Sequence, residues 1–217
     1  MVFEERRDAG RHLADSLLAH ADPGTLVLAL PRGGVPVAYE VARALGAPLD
    51  VLGARKLGAP GNRELAVGAI AEGGVAVLDE HTMRRCGMTQ ESLDEVLRRE
   101  RAELARQVAL YRSARPAQRL AGASVIVVDD GLATGLTALA AVRAVREGEA
   151  ASVVVAVPVG AAEALTMLGR EADEVICQMT PRRLRAVGLF YRDFSPVSDE
   201  TVQALLGEST TELRMAG

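Results

Sequence analysis

The sequence predicts an α/β fold, a doubly wound and largely parallel sheet with helices on both faces and a small helical insertion. Three observations predict it. Runs such as Val125, Ile126, Val127 and Val128 are continuously apolar rather than alternating, as strands covered on both faces require. These runs alternate with stretches of helical periodicity, at a spacing suited to strand–helix–strand crossovers. Two glycine-bearing turns, at 31–34 and 131–137, directly follow such strands. Both therefore lie at carboxyl ends, where open α/β sheets bind ligands. With 217 residues, 49% of them hydrophobic, the chain can bury a sizeable core. It has no linker, repeat or low-complexity tract, so residues 1–217 read as a single domain.

Residues 3–20 read as an amphipathic helix with Phe3, Leu13, Leu17 and Leu18 toward the core, ended by Asp22, Pro23 and Gly24. Residues 25–30, TLVLAL, are the first buried strand. After Pro31, Arg32, Gly33 and Gly34 a helix runs over 35–45, with Pro36 tolerated in its first turn. Residues 48–55 read as the second strand, with Arg55 and Lys56 at its end. Gly58, Pro60 and Gly61 then argue for a mobile loop rather than an element. Strands over 66–71 and 74–79, joined through glycines, suggest a hairpin. Over 89–114, Leu93, Val96, Leu97, Leu104, Val108 and Tyr111 recur at helical spacing, with Arg98, Arg99, Glu103 and Arg106 opposite. One long helix or two short ones fit, packed on the sheet or at a dimer contact and ended by Arg115 and Pro116. The helical insertion thus covers about 80–115. A strand over 125–128, a helix over 136–146, a strand over 151–157, a helix over 161–170 and a strand over 174–179 complete the alternation. Residues 199–206 are a closing helix, and the last ten residues are expected to be loose.

The formal charge of −4, from 25 basic and 29 acidic residues, argues against general nucleic-acid binding. Cys86 and Cys177 have neither metal-ligand nor disulfide-framework spacing, which fits a reducing cytosol. No apolar signal core and no run of membrane-spanning length is present, so a cytoplasmic location without membrane partners is expected. Neither GxGxxG nor GxxxxGK[ST] occurs, which removes the dinucleotide and P-loop readings. His12, His20 and His81 lie outside the motif loops and receive no catalytic role.

The chemistry concentrates in residues 125–137, VIVVDDGLATGLT. Asp129 and Asp130 stand where the strand ends. Gly131, Ala133 and Gly135 keep the turn free of bulk, so backbone N–H groups can close around an anion. Thr134 and Thr137 add hydroxyls, and the following helix aims its N-terminus at the same place. Amide donors for a phosphate thus sit beside carboxylates that can accept from a vicinal diol or face a metal. A phosphorylated sugar has both parts. At the other turn, Gly33 and Gly34 permit unusual dihedrals, so that consecutive N–H groups point at one ligand. Arg32 adds a forked cation suited to phosphate oxygens.

Four hydrophobic residues, two acids, a small-residue loop, then Thr134, Gly135 and Thr137 resemble the 5-phosphoribosyl-1-pyrophosphate (PRPP) signature of the type I phosphoribosyltransferases. Pro31 to Gly34 resemble the family's pyrophosphate loop, and the likeness extends over nearly the whole chain. It implies that Gly131, Leu132, Ala133, Thr134, Gly135 and Thr137 hold the 5-phosphate. Asp129 and Asp130 would grip the ribose hydroxyls and face Mg2+ indirectly, through PRPP and water. Arg32, Gly33 and Gly34 would stabilise departing pyrophosphate, with a non-proline cis peptide at Arg32. The loop after Arg55 would cover the site, Lys56 facing pyrophosphate, with Asn62, Arg63 and Glu64 either making lid contacts or forming a solvated charged loop. A C-terminal hood, about 180–197, would put Phe190 or Tyr191 against the acceptor base, unless these rings fill core or a dimer seam.

The implied function is Mg2+-dependent transfer of the phosphoribosyl group to a nitrogenous acceptor, a nucleobase, by a homodimer whose partners are small molecules. Ala133 stands where the hypoxanthine-guanine enzymes carry an Asp, which weakens a 6-oxopurine acceptor without establishing adenine. The alternative is a non-catalytic regulator that senses PRPP or nucleotide on the same fold. The acidic balance and the presence of Arg55 and Lys56 favour catalysis. Either way the two turns must face one cleft.

Overall fold

A computed structural model describes residues 2–112 and 116–216, the side chains of 213–216 excepted. In chain order, α1 (Arg6–Asp15), β1 (Thr25–Ala29), α2 (Gly34–Leu45) and β2 (Leu49–Val51) come first. Next are β3 (Ala54–Ala59), β4 (Asn62–Ala71), β5 (Ala76–Leu78), α3 (Glu80–Arg85) and α4 (Gln90–Arg112). The chain closes with β6 (Ser124–Val128), α5 (Leu136–Glu147), β7 (Ser152–Val159), α6 (Ala162–Leu168), β8 (Glu174–Met179) and α7 (Asp199–Ala216). The central sheet has the order β2–β1–β6–β7–β8 and is parallel throughout. A second sheet, β3–β4–β5, is antiparallel.

Strand parity explains the layers. Leu26, Leu28, Val125, Val127, Val153 and Val155 pack with α5, α6 and residues of the antiparallel sheet. Their neighbours Val27, Ala29, Ile126, Val128, Val154 and Ala156 pack with α1, α2 and α7. A strand buried on both sides disfavours polar side chains, because a buried polar group without a partner is costly, and Thr25 in β1 is tolerated with its hydroxyl donating to the His20 carbonyl at 2.6 Å. The acids and glycines of the motifs are thereby confined to strand ends.

The structure departs from the sequence reading in four places. The N-terminal helix stops at Asp15, a 3-10 turn spans Leu18–His20, and Leu18 is 56% exposed rather than core. Phe3 is buried by the C-terminal segment instead. Its N–H donates to the carbonyl of Phe190 at 2.8 Å, and the N–H of Arg192 donates back to its carbonyl at 2.8 Å. The strand expected over 48–55 is two strands in two sheets, broken at Gly53. A Cβ there would lie 2.5 Å from Val108 Cγ2 and 2.8 Å from Leu104 Cδ1 of α4.

The third departure is the mobile loop expected after Lys56, which is a β-hairpin, β3 to β4, turning at Pro60 and Gly61, with φ +75° at Gly61. Gly58 sits at a bulge where a Cβ would be 2.6 Å from the Arg63 carbonyl oxygen. The glycines serve close backbone approach and a tight turn rather than mobility. Lastly, α7 runs to Ala216, through most of the stretch expected to be loose. Residues 90–112 form one helix, and its expected end at 113–115 lies outside the described residues. Among the described residues no helix is long and apolar enough to cross a membrane.

Candidate active site

From β1 the chain goes to β2 on one side, whereas β6, β7 and β8 run off to the other. The strand order reverses between β1 and β6, and the crevice there is where such sheets take ligands. Both motif turns emerge at this point. The N–H of Leu30 donates to the Val128 carbonyl at 2.9 Å, and the Pro31–Arg32 peptide is cis. A Cβ on Gly33 would lie 2.0 Å from Asp130 Oδ2, and one on Gly34 would lie 2.7 Å from the Val128 carbonyl oxygen. The dihedrals of Gly33, φ −61° and ψ −34°, are ordinary helical values. Its glycine is required by the contact between the two turns, not by an unusual backbone conformation as the sequence suggested.

The second turn is fastened from below. Leu132, expected to contact phosphate, anchors the loop instead. Its side chain is 2% exposed, its N–H donates to the Val159 carbonyl at 2.9 Å, and its carbonyl accepts from the Ala161 N–H at 2.9 Å. Gly131 packs under Val187, where a Cβ would come within 2.5 Å of Cγ1. Gly135 has φ +76° at the start of α5, a conformation that favours glycine. The first-turn N–H groups of α5, at the positive end of the helix dipole, are thus presented at the loop. Ala133 and Thr134 are exposed, and Thr137 lines the cleft.

Asp129 and Asp130 share one environment. Asp129 Oδ1 accepts from the N–H of Asp130 at 2.8 Å, and Asp130 Oδ2 accepts from Arg6 Nε at 2.8 Å. Tyr191, a candidate for the acceptor base, is 6% exposed and packs on Phe3 and Phe194. Its hydroxyl donates to the Asp130 carbonyl at 2.6 Å. The ring is spent on core, and its effect on the site passes through the Asp130 backbone. Phe190 is half-buried beside this cluster. Burial, and secondly the charge of Asp130, push Asp129 well above the usual carboxylate range. Burial also raises Asp130, while the bond and charge of Arg6 pull it back.

This asymmetry predicts a stability effect. With its folded value raised, an ionised Asp129 costs folding free energy above its unfolded value of about 4, and nothing below it. Asp129→Asn keeps the acceptor for the Asp130 N–H but not the charge. It is expected to raise Tm by about 2–4 °C at pH 7.5 for each kcal/mol relieved. Melts at decreasing pH should show the gain shrinking to nothing near pH 4; no gain at pH 7.5 would contradict the assigned direction.

The cleft, about 470 Å³, is lined by the cations Arg32, Arg55, Lys56, Arg63 and Arg99 and by the carboxylates Glu64, Glu100, Asp129 and Asp130, together with Thr137. Arg55 is on β3, not at the end of a central strand. Its Nε and Nη2 reach Glu100 Oε2 at 2.8 and 2.7 Å, and its Nη1 donates to Gln107 Oε1 at 2.9 Å. Lys56 Nζ lies 3.1 Å from Glu64 Oε2. Arg32 Nη1 is 3.7 Å from Asp199 Oδ1. Sequence reading missed Arg6, Arg99, Glu100 and Gln107. Glu100 had a signal, since it interrupts the buried stripe of α4 formed by Leu93, Val96, Leu104 and Tyr111. Arg6 had none. A smaller cavity of about 320 Å³ surrounds Arg112, already ion-paired with Asp50 and Glu72, away from both turns.

An open α/β sheet with two glycine turns in contact at its switch point places the chain in the doubly wound α/β class, whose members take ligands at that crevice. The phosphoribosyl transferase domain model matches residues 4–178. A Mycobacterium tuberculosis H37Rv protein named a putative phosphoribosyl transferase is 44% identical over 216 residues, covering 100% of this chain and 49% of its own length. The chain thus spans about half the length of the curated relatives it matches. The crystal structure of TT1426 from Thermus thermophilus superposes with a TM-score of 0.79 at 45% identity, over 96% of this chain and 99% of that one. AQ2163 protein from Aquifex aeolicus shares the fold, with a TM-score of 0.54 at 15% identity over 84% and 78% of the two chains. The chain belongs to the phosphoribosyl transferase domain family.

Proposed function

We propose that the cleft binds PRPP and transfers its 5-phosphoribosyl group to a nitrogenous acceptor, a nucleobase, with release of pyrophosphate. One observation carries this reading: Gly33 lies directly against the Asp130 carboxylate. A single ligand can therefore span a helix N-terminus suited to phosphate, acids suited to a diol, and a cationic turn. In the reaction the bond from C1 to the pyrophosphate oxygen breaks, a bond from the acceptor nitrogen to C1 forms, and the acceptor gives up a proton. Negative charge builds on the leaving group, and Arg32 and Lys56, which line the cleft, would offset it. The loop at 131–137 anchors the remote 5-phosphate, so that its binding energy acts at C1. Phe190 is the remaining aromatic candidate for stacking on the acceptor, worth about 1–3 kcal/mol per base.

Among the described residues no group of three or more His, Cys, Asp or Glu side chains could hold an ion. Asp129 and Asp130 nevertheless offer hard oxygen donors, which fits Mg2+ that keeps several waters and arrives with substrate phosphates. Such an ion supplies charge neutralisation on pyrophosphate. In this reading residues 1–217 act as one domain, with 80–115 inserted and 180–197 as a hood, in a cytoplasmic homodimer. Incubating a panel of bases with PRPP and Mg2+ and measuring pyrophosphate release tests it. Release with one class of base is expected. PRPP binding without release for any base would turn the reading to a sensor.

A further inference from the structure

We infer that Arg6 is a positioning residue for the sugar-binding acid: it holds the Asp130 carboxylate against Gly33 and ties it to the segment at 190–195. This rests on the sugar-phosphate reading above. Arg6 lies in a run of charged N-terminal residues, yet it is 8% exposed. A guanidinium withdrawn from water is costly unless its donors are met. Here Nε donates to Asp130 Oδ2 at 2.8 Å, Nη1 donates to the Ser195 carbonyl at 2.8 Å, and Cζ stands 3.9 Å over the Phe194 ring. The same Nε would be 3.3 Å from a Cβ on Gly33. Guanidinium and carboxylate therefore fill the space that any side chain larger than glycine at position 33 would need.

Stability alone is a poor explanation for such a pair. Buried ion pairs can often be replaced by apolar side chains without loss. This pair instead falls on an acid that lines the cleft, 124 residues away in sequence. Carboxylate planes turn easily, because the terminal torsion of Asp is broad. A donor on Oδ2 sets that plane. The C-terminal segment reaches Asp130 by two routes, directly through the Tyr191 hydroxyl on its carbonyl and indirectly through the contacts of Ser195 and Phe194 with Arg6. The orientation of the acid is thereby coupled to the segment expected to cover the acceptor.

Calorimetry with ribose 5-phosphate and with 2-deoxyribose 5-phosphate, which lacks one hydroxyl, tests this on the full chain. The wild type is expected to prefer the ribose compound. Arg6→Gln should weaken ribose 5-phosphate by about tenfold, with less than about twofold change for the deoxy sugar. Arg6→Lys keeps the charge but offers no planar pair of donors, so it should fold normally in thermal melts and lose part of the preference. It decides the matter if Arg6→Gln does not fold. An unchanged preference in the folded variants, or equal loss for both sugars, overturns the role of Arg6 and leaves the sugar-phosphate reading standing. A wild type that binds neither sugar, or both equally, overturns that reading and this inference together.

Discussion

Gly33→Ala should lower turnover with PRPP by about 100-fold or more, the loss associated with displacing a reacting group by about 1 Å, and should weaken PRPP binding with it. The added methyl would start 2.0 Å from Asp130 Oδ2, and real Cβ atoms essentially never approach below 3.0 Å. The carboxylate must retreat, and Arg6 at 2.8 Å stands behind it. The turn cannot retreat freely either, because Gly34 already abuts the Val128 carbonyl oxygen, at 2.7 Å from its own would-be Cβ. Overpacking of this kind also costs about 1–3 kcal/mol of stability, so a lowered Tm should accompany the lost binding. Gly24→Ala is the control. Nothing lies within 4 Å of its would-be Cβ, and it should bind and melt as the wild type does. Wild-type affinity in a correctly folded Gly33→Ala would mean that the two turns do not share a ligand.

Asp130→Asn should weaken PRPP by about 2–4 kcal/mol, or roughly 30- to 1,000-fold. The loss is the charge assistance given to ribose hydroxyls, since hydrogen bonds to a charged group contribute about 1.5–3 kcal/mol each. The substitution is isosteric, and its amide oxygen can still accept from Arg6, so the fold should survive. Affinity for inorganic phosphate should hold, because the α5 N-terminus is untouched. Calorimetry with both ligands separates the outcomes. Equal PRPP affinity would remove Asp130 from sugar binding, whereas parallel loss of phosphate would indicate a collapsed loop rather than a missing charge.

Much of the fold was legible because its signal is local. Continuous apolar runs mark strands covered on two sides, and Val125 to Val128 are such a strand in the structure. The helices starting at Gly34 and Leu136 follow directly from the turns before them. The region after Val51 was less legible. Gly53, Gly58 and Gly61 carry the same letter, yet one lets α4 approach, one sits at a bulge and one closes a hairpin. Composition reports that bulk is absent and is silent on what occupies the space. Arg55 reads in sequence as a cation at a strand end before a mobile loop, whereas Glu100 and Gln107 of α4 hold it.

Residue order alone dictates that strands alternate with helices, and that two glycine turns and a pair of acids sit at strand ends. These follow from side-chain period and backbone freedom, properties of neighbouring residues. That the turns touch, that Tyr191 is core rather than ligand contact, and that Arg6 pairs with Asp130 emerge only from the packed molecule. Each depends on which distant surfaces meet once strands β1 and β6 lie side by side. Buried charges settle on whatever partner that packing brings within reach, and no local pattern encodes the choice.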